Sequence, residues 1–128
     1  MKKVEAIISP SRLEAVRESL VARCVEALSL TEVHGAGHEP TFVGHYRGVR
    51  YDIDLHPKLK LEIVVRDEDA VPIAYTIVEA ARSGQVGDGK VLIAHVEDAV
   101  RIRTGERGPA AVHDEFDRVD EPRRAALG

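Results

Sequence analysis

The 128-residue chain has no tryptophan, two phenylalanines, three tyrosines, one methionine and one cysteine. A single thiol, Cys24, excludes an intrachain disulfide. It falls in an apolar stretch after a helical pattern, so a buried structural thiol is expected rather than a reactive one. Aromatic residues make up 4% of the chain and the formal net charge is −4. Few base-stacking platforms and an acidic balance argue against a nucleic-acid binder and favour protein or small-molecule partners. No apolar run approaches the roughly 20 residues that span a bilayer. No apolar h-region follows the basic Met1-Lys2-Lys3 start, because Glu5 interrupts it. The expectation is a cytoplasmic protein with no direct membrane insertion. No nucleophile–base pair, catalytic carboxylate dyad or metal-hydrolase motif is visible, so an enzyme is not expected.

What is present suits one domain. The hydrophobic content of 44% is ordinary for a globular protein. At this length one core is affordable but small, and oligomerisation would help stability. Lys2 to Ile8 alternates apolar and polar residues as a strand does. Ser11-x-x-Glu14 reads as a capping box before a helix to about Arg23, with Leu13, Val16 and Leu20 on one face. Ala27 to Val33 reads as a second strand. The segment from His34 to about Asp52 holds four glycines and a proline without sustained periodicity, and a loop of that length is usually functional. Asp52 to Val65 contains a strand with one wet face at its start and a buried end.

Asp67 to Arg82 reads as a second helix, with Ile73, Ile77 and Ala80/Ala81 as its inner stripe and Gly84 as its cap. Lys90 to Val96 and Val100 to Arg103 read as closing strands. The order β-α-β-β-α-β predicts an α+β, ferredoxin-like fold with a long loop between strands 2 and 3. From about residue 108 the chain turns polar and charged, which predicts a mobile C-terminal tail, or else a short helix docking on a neighbouring subunit.

Two segments carry chemistry. Ser83-Gly-Gln-Val-Gly-Asp-Gly-Lys90 is a glycine-rich turn ending in a lysine, and Arg101-Ile-Arg-Thr-Gly-Glu-Arg107 alternates two arginines on one face. A glycine turn lets backbone N–H groups approach phosphate oxygens, and Lys90, Arg101 and Arg103 could supply the countercharge. That pattern suggests a pocket for a nucleotide polyphosphate. Gly-Asp-Gly is equally ordinary hairpin chemistry, and paired arginines on an edge strand are often only solvated.

Further residues align with these in order: Leu30-Thr-Glu-Val33, Gly35-Ala-Gly37, Tyr46-Arg-Gly48, Tyr51, Pro57-Lys-Leu-Lys-Leu-Glu-Ile-Val-Val65, Gly87-Asp-Gly-Lys90 and Glu97-Asp-Ala-Val-Arg-Ile-Arg-Thr-Gly-Glu106. Together they resemble the PII signal-transduction proteins, trimeric nucleotide-binding regulators of nitrogen and carbon metabolism, over residues 1–107. The match around Gly87 to Lys90 is specific, whereas Val49 and Arg50 depart from the family pattern. The resemblance implies a homotrimer holding ATP, ADP or AMP in clefts between subunits. Ser29, where the family often has threonine, would lie at the adenine or the loop beside it. Gly35, Gly37 and His38 would run along the nucleotide, Glu62 and Val64 beside the base, and Gly87, Asp88, Gly89 and Lys90 around the phosphates. Arg101 and Arg103 would arrive from the adjacent subunit. Residues 36–52 would form the T-loop that docks on a transporter or metabolic enzyme, with Tyr51 as a candidate modification site.

The departures matter too. Glu39 stands where the family usually has a glutamine completing the shell of a magnesium ion shared by ATP and 2-oxoglutarate. A carboxylate can still ligate Mg²⁺ but adds negative charge beside two anions. Pro40 restricts Glu39 to extended geometry. Lys58, the family's partner for the 2-oxoglutarate carboxylate, is kept. Weak 2-oxoglutarate binding is therefore expected, with a smaller anion such as bicarbonate competing as effector. His34, His38, His45 and His56 lack the clustered spacing of a zinc module, which leaves a metal-responsive, CutA-like protein as the alternative of another class. A slow ATPase whose turnover resets a switch is the third.

Overall fold

The computed structural model describes residues 1–25, 27–36, 42–46, 49–53 and 55–112, with the strands at 42–46 and 49–53 given by their backbone alone. Among these residues six strands and three helices follow in order: β1 (Lys2–Ile8), α1 (Leu13–Ala22), β2 (Ser29–Gly35), β3 (Phe42–Tyr46), β4 (Val49–Ile53), β5 (His56–Val65), α2 (Asp67–Ala81), β6 (Gly89–His95) and α3 (Pro109–Val112). The main sheet runs β2-β5-β1-β6, all neighbours antiparallel, and β3 pairs with β4 separately. Without the β3–β4 hairpin this is the β-α-β-β-α-β ferredoxin-like α+β arrangement.

Alternation decides which face of the sheet is covered. Val4, Ala6 and Ile8 of β1 and Leu59, Leu61, Ile63 and Val65 of β5 are buried, and they join Val16 and Leu20 of α1 with Ala70, Ile73, Ala74, Ile77 and Ala81 of α2 in one core. Full burial of each valine, leucine or isoleucine among them is worth about 1.5–3 kcal/mol. By parity and register, Ile7 and Glu5 of β1, Lys60, Glu62 and Val64 of β5 and Ser29 of β2 share the opposite face. Lys60 lies 3.8 Å from Glu5 and 3.5 Å from Glu62 there.

Several local expectations are corrected. Ser11 does not cap a helix: Pro10–Arg12 form a 3-10 turn, with Arg12 N–H donating to the Ser9 carbonyl at 3.0 Å, and α1 starts at Leu13 without a side-chain cap. Proline at the first position suits that tighter turn and absorbs Ser11 into it. Cys24 is exposed rather than buried. Its φ of 63° makes it the left-handed residue that ends α1. Val25 N–H donates to the Leu20 carbonyl at 2.9 Å and Cys24 N–H to that of Val21 at 2.8 Å, a Schellman closure with Val25 packed on the core.

The long loop is not without regular structure, because residues 42–46 and 49–53, rich in β-branched and aromatic side chains, pair as a hairpin. The start of β5 is not wet, since His56 and Lys58 are buried. Gly84 does have a left-handed φ of 85°, but α2 ends at Ala81 and the residue that follows it, Arg82, is already extended. Val100 to Arg103 is no strand; only Val100 bridges, to Arg107.

Candidate functional site

The glycine-rich turn leaves α2 and enters β6, and its shape is set by hydrogen bonds within it and to Ser9 and Lys58. The Asp88 carboxylate accepts from the backbone N–H groups of Ser83 at 2.8 Å and Gly84 at 2.9 Å, and from the Ser83 hydroxyl. These bonds, those from Ser83 foremost, hold the Asp88 carboxyl below its ordinary range, aided by the charge of Arg12. Asp88 therefore organises the turn from inside. The Gly87 carbonyl accepts from Lys58 Nζ at 2.7 Å and from Ser9 Oγ at 3.3 Å. Arg12 ties α2 to the same end of the fold by donating to the Ala80 carbonyl from Nε at 3.2 Å and Nη2 at 2.6 Å.

Gly87 and Gly89 take φ of 98° and 99°. At Gly89 a Cβ would stand 1.7 Å from the Ile7 carbonyl oxygen, so the backbone of β6 can meet β1 only with glycine there. At Gly35 a Cβ would meet nothing within 4 Å, so the chain's own packing does not require that glycine. A cleft of about 190 Å³ borders the turn, lined by Ile7, Ile8, Val78, Asp88, Gly89 and Lys90 among others.

On the uncovered sheet face, register sets Ser29 opposite Glu62 and Lys90 opposite Ile7. Val64 follows Glu62 on the same face and is 37% exposed. A hydrogen bond with Glu5, then the charges of Lys3 and Lys60, hold the Glu62 carboxyl below its ordinary range. The structure thus brings Ser29, Glu62, Val64 and Lys90 to one face, with the turn at one end.

Arg101 and Arg103 are not brought to that end. Lys90 opens β6, whereas the arginines follow its far end, about 17 Å along the strand at about 3.4 Å per residue. At that far end Val96 N–H bonds to the Met1 carbonyl at 3.1 Å. The segment then turns back on itself as a finger. Arg101 N–H donates to the Glu106 carbonyl at 2.8 Å, and Gly105 N–H to that of Arg101 at 2.7 Å. Arg101 Nη2 reaches the carbonyls of Ala110 at 3.3 Å and Ala111 at 3.5 Å in α3.

The family model described as Nitrogen regulatory protein P-II matches residues 1–106. The chain is 48% identical over 112 residues to "Nitrogen regulatory protein P-II 2" of Methanothermobacter thermautotrophicus, covering 88% of this chain and 97% of that one. It is 47% and 46% identical to the "Nitrogen regulatory protein P-II" of Cereibacter sphaeroides and of Haemophilus influenzae, each covering 88% of this chain and all of the relative. The chain belongs to the P-II family. As a P-II protein it is a signal-transduction regulator that acts on partner proteins, not an enzyme.

Within this P-II chain, Gly37, His38 and Glu39 lie outside the described residues, and Tyr51 is described only as a backbone position in β4 paired with Gly44. Among the described residues no three His, Cys, Asp or Glu side chains converge on a metal-sized site. No helix there is long and apolar enough to cross a membrane. Sequence reading missed Ile7 and Ser9, which register and a hydrogen bond set beside the turn, and the bond of Ser83 to Asp88 within it. It also missed Asp98 and Arg107, whose signal was a pair of opposite charges flanking a Thr-Gly turn.

Proposed function

We propose that this P-II protein is a homotrimeric adenine-nucleotide sensor, binding ATP, ADP or AMP in clefts shared by neighbouring copies. The observation that carries this reading is the separation of the two phosphate-binding halves. The glycine turn with Lys90 and the finger with Arg101 and Arg103 belong to opposite ends of β6, so one chain's turn is best completed by another chain's finger. Three further features support it. Among the described residues no helix covers the face bearing Ser29, Glu62 and Val64, that face alternates lysines and glutamates, and the turn holds left-handed glycines whose N–H groups suit phosphate oxygens.

In this reading Gly87, Gly89 and Lys90 cradle the phosphates, Ser29, Glu62 and Val64 border the base, and Gly35, Gly37 and His38 run along the nucleotide. Mg²⁺, held through Glu39 and the phosphates, would neutralise the polyanion. A second, small anion such as bicarbonate biases residues 36–52, which then engage a transporter or metabolic enzyme. Residues 1–107 form the sensing domain and residues 108–128 a charged tail.

The test is complementation between subunits. Lys90→Ala and Arg103→Ala are each expected to weaken ATP binding, the arginine by about 1.5–3 kcal/mol. Mixed oligomers refolded from both variants should regain a fraction of full-affinity sites, since some clefts combine two intact halves. No regain, or a monomer in sedimentation that binds ATP at full affinity, would refute the shared cleft.

A further inference from the structure

We infer that Asp98 and Arg107 are positioning residues: their ion pair clasps the base of the finger and so aims Arg101 and Arg103. The inference rests on the proposed nucleotide site, to which neither residue contributes a direct contact. Asp98 receives four donors. Two guanidinium nitrogens of Arg107 converge on Oδ2, Nε at 3.1 Å and Nη2 closer still. Oδ1 takes the backbone N–H groups of Ala99 at 2.8 Å and Gly108 at 3.3 Å. One carboxylate thus binds both stems of the loop between residues 99 and 108, and the Gly108 N–H also reaches the Ala99 carbonyl at 3.0 Å.

Beyond the clasp the finger is held by polar contacts, among them those of Arg101 Nη2 with the Ala110 and Ala111 carbonyls. Val100 is exposed and Ile102 fully so, which leaves no apolar cluster to order the segment. Its internal contacts include the Val100–Arg107 bridge, the two backbone bonds across Arg101, and the Thr104 hydroxyl with Glu106. Removing the clasp therefore frees the two stems while the covered sheet keeps its core. An exposed ion pair contributes little to global stability, so the consequence falls on where the arginines point.

Charge alone predicts the opposite for Asp98, since deleting a carboxylate near a polyphosphate site should strengthen binding. That contrast separates positioning from electrostatics. The full-length protein carrying Asp98→Asn or Arg107→Gln should bind ATP about five- to tenfold more weakly, the scale of a displaced charged contact. Without nucleotide, amide exchange of Arg101 and Gly105 should quicken while that of β1 and β5 stays unchanged. Arg107→Lys, which keeps a charged donor for Asp98, should recover part of the affinity that Arg107→Gln loses. Unchanged or tighter ATP binding by both single variants, with Arg103→Ala still weakened, would overturn the clasp alone. Unchanged binding by Arg103→Ala would overturn the nucleotide reading and the clasp with it.

Discussion

Lys58 Nζ donates a 2.7 Å hydrogen bond to the carbonyl of Gly87, so a buried cation on the sheet's second central strand holds the turn that opens β6. Lys58→Met keeps the apolar stem and removes the charged donor. The expected loss of stability is about 1.5–3 kcal/mol, that of a hydrogen bond to a charged group. Urea unfolding measures it. A midpoint indistinguishable from that of the unaltered protein would show that Ser9 alone holds the carbonyl.

Gly89 is the position least able to accept a side chain. With φ at 99° and the Ile7 carbonyl oxygen 1.7 Å from any Cβ, Gly89→Ala must separate the ends of β1 and β6. The strain should cost at least about 2 kcal/mol. Thermal unfolding and ATP titration should both change. Gly35→Ala, where a Cβ meets nothing within 4 Å, is expected to leave stability within about 1 kcal/mol. Equal losses at the two glycines would contradict the close approach at Gly89.

Acid should loosen the fold through its aspartates. The hydrogen bonds from Ser83 hold the Asp88 carboxyl below its ordinary range; Arg107 does the same first for Asp98, and the N-terminal amine for Asp67. A carboxyl whose folded value lies below its unfolded one stabilises the fold fully above the unfolded value. That stabilisation is lost as the pH falls through the folded value. Stability should therefore stay level down to about pH 4 and decline below it. Asp88→Asn should flatten the decline. An unaltered profile in that variant would place the acid sensitivity elsewhere.

Glu39 bears on the second ligand. Like charges about 4 Å apart repel by several kcal/mol at intermediate dielectric, so 2-oxoglutarate should bind weakly beside Mg-ATP. Glu39→Gln should strengthen that binding, whereas bicarbonate should bind the unaltered protein. Calorimetry with ATP present decides between them. Micromolar, ATP-dependent 2-oxoglutarate binding by the unaltered protein would show that the carboxylate is tolerated.

The sequence by itself determined the fold class, because strand and helix periods are local properties. Alternation at Val4, Ala6 and Ile8 and at Leu59, Leu61, Ile63 and Val65, with helical spacing at Ile73 and Ile77, marks the covered faces before any contact is known. It also pointed to Gly87–Lys90, since glycine clusters announce backbone geometry that other residues resist. Tertiary structure decided what depends on distant neighbours. Ser11 lost its cap to a turn started by Pro10, and Cys24 came to the surface because α1 closes at that residue. Lys58 was buried against the Gly87 carbonyl, 29 residues away in sequence. Asp88 turned inward to Ser83, and the finger took its form from Asp98 and Arg107. Hydrogen-bond partners and burial are set by the packed chain, and residue patterns encode them only where periodicity or a forced dihedral leaves one choice.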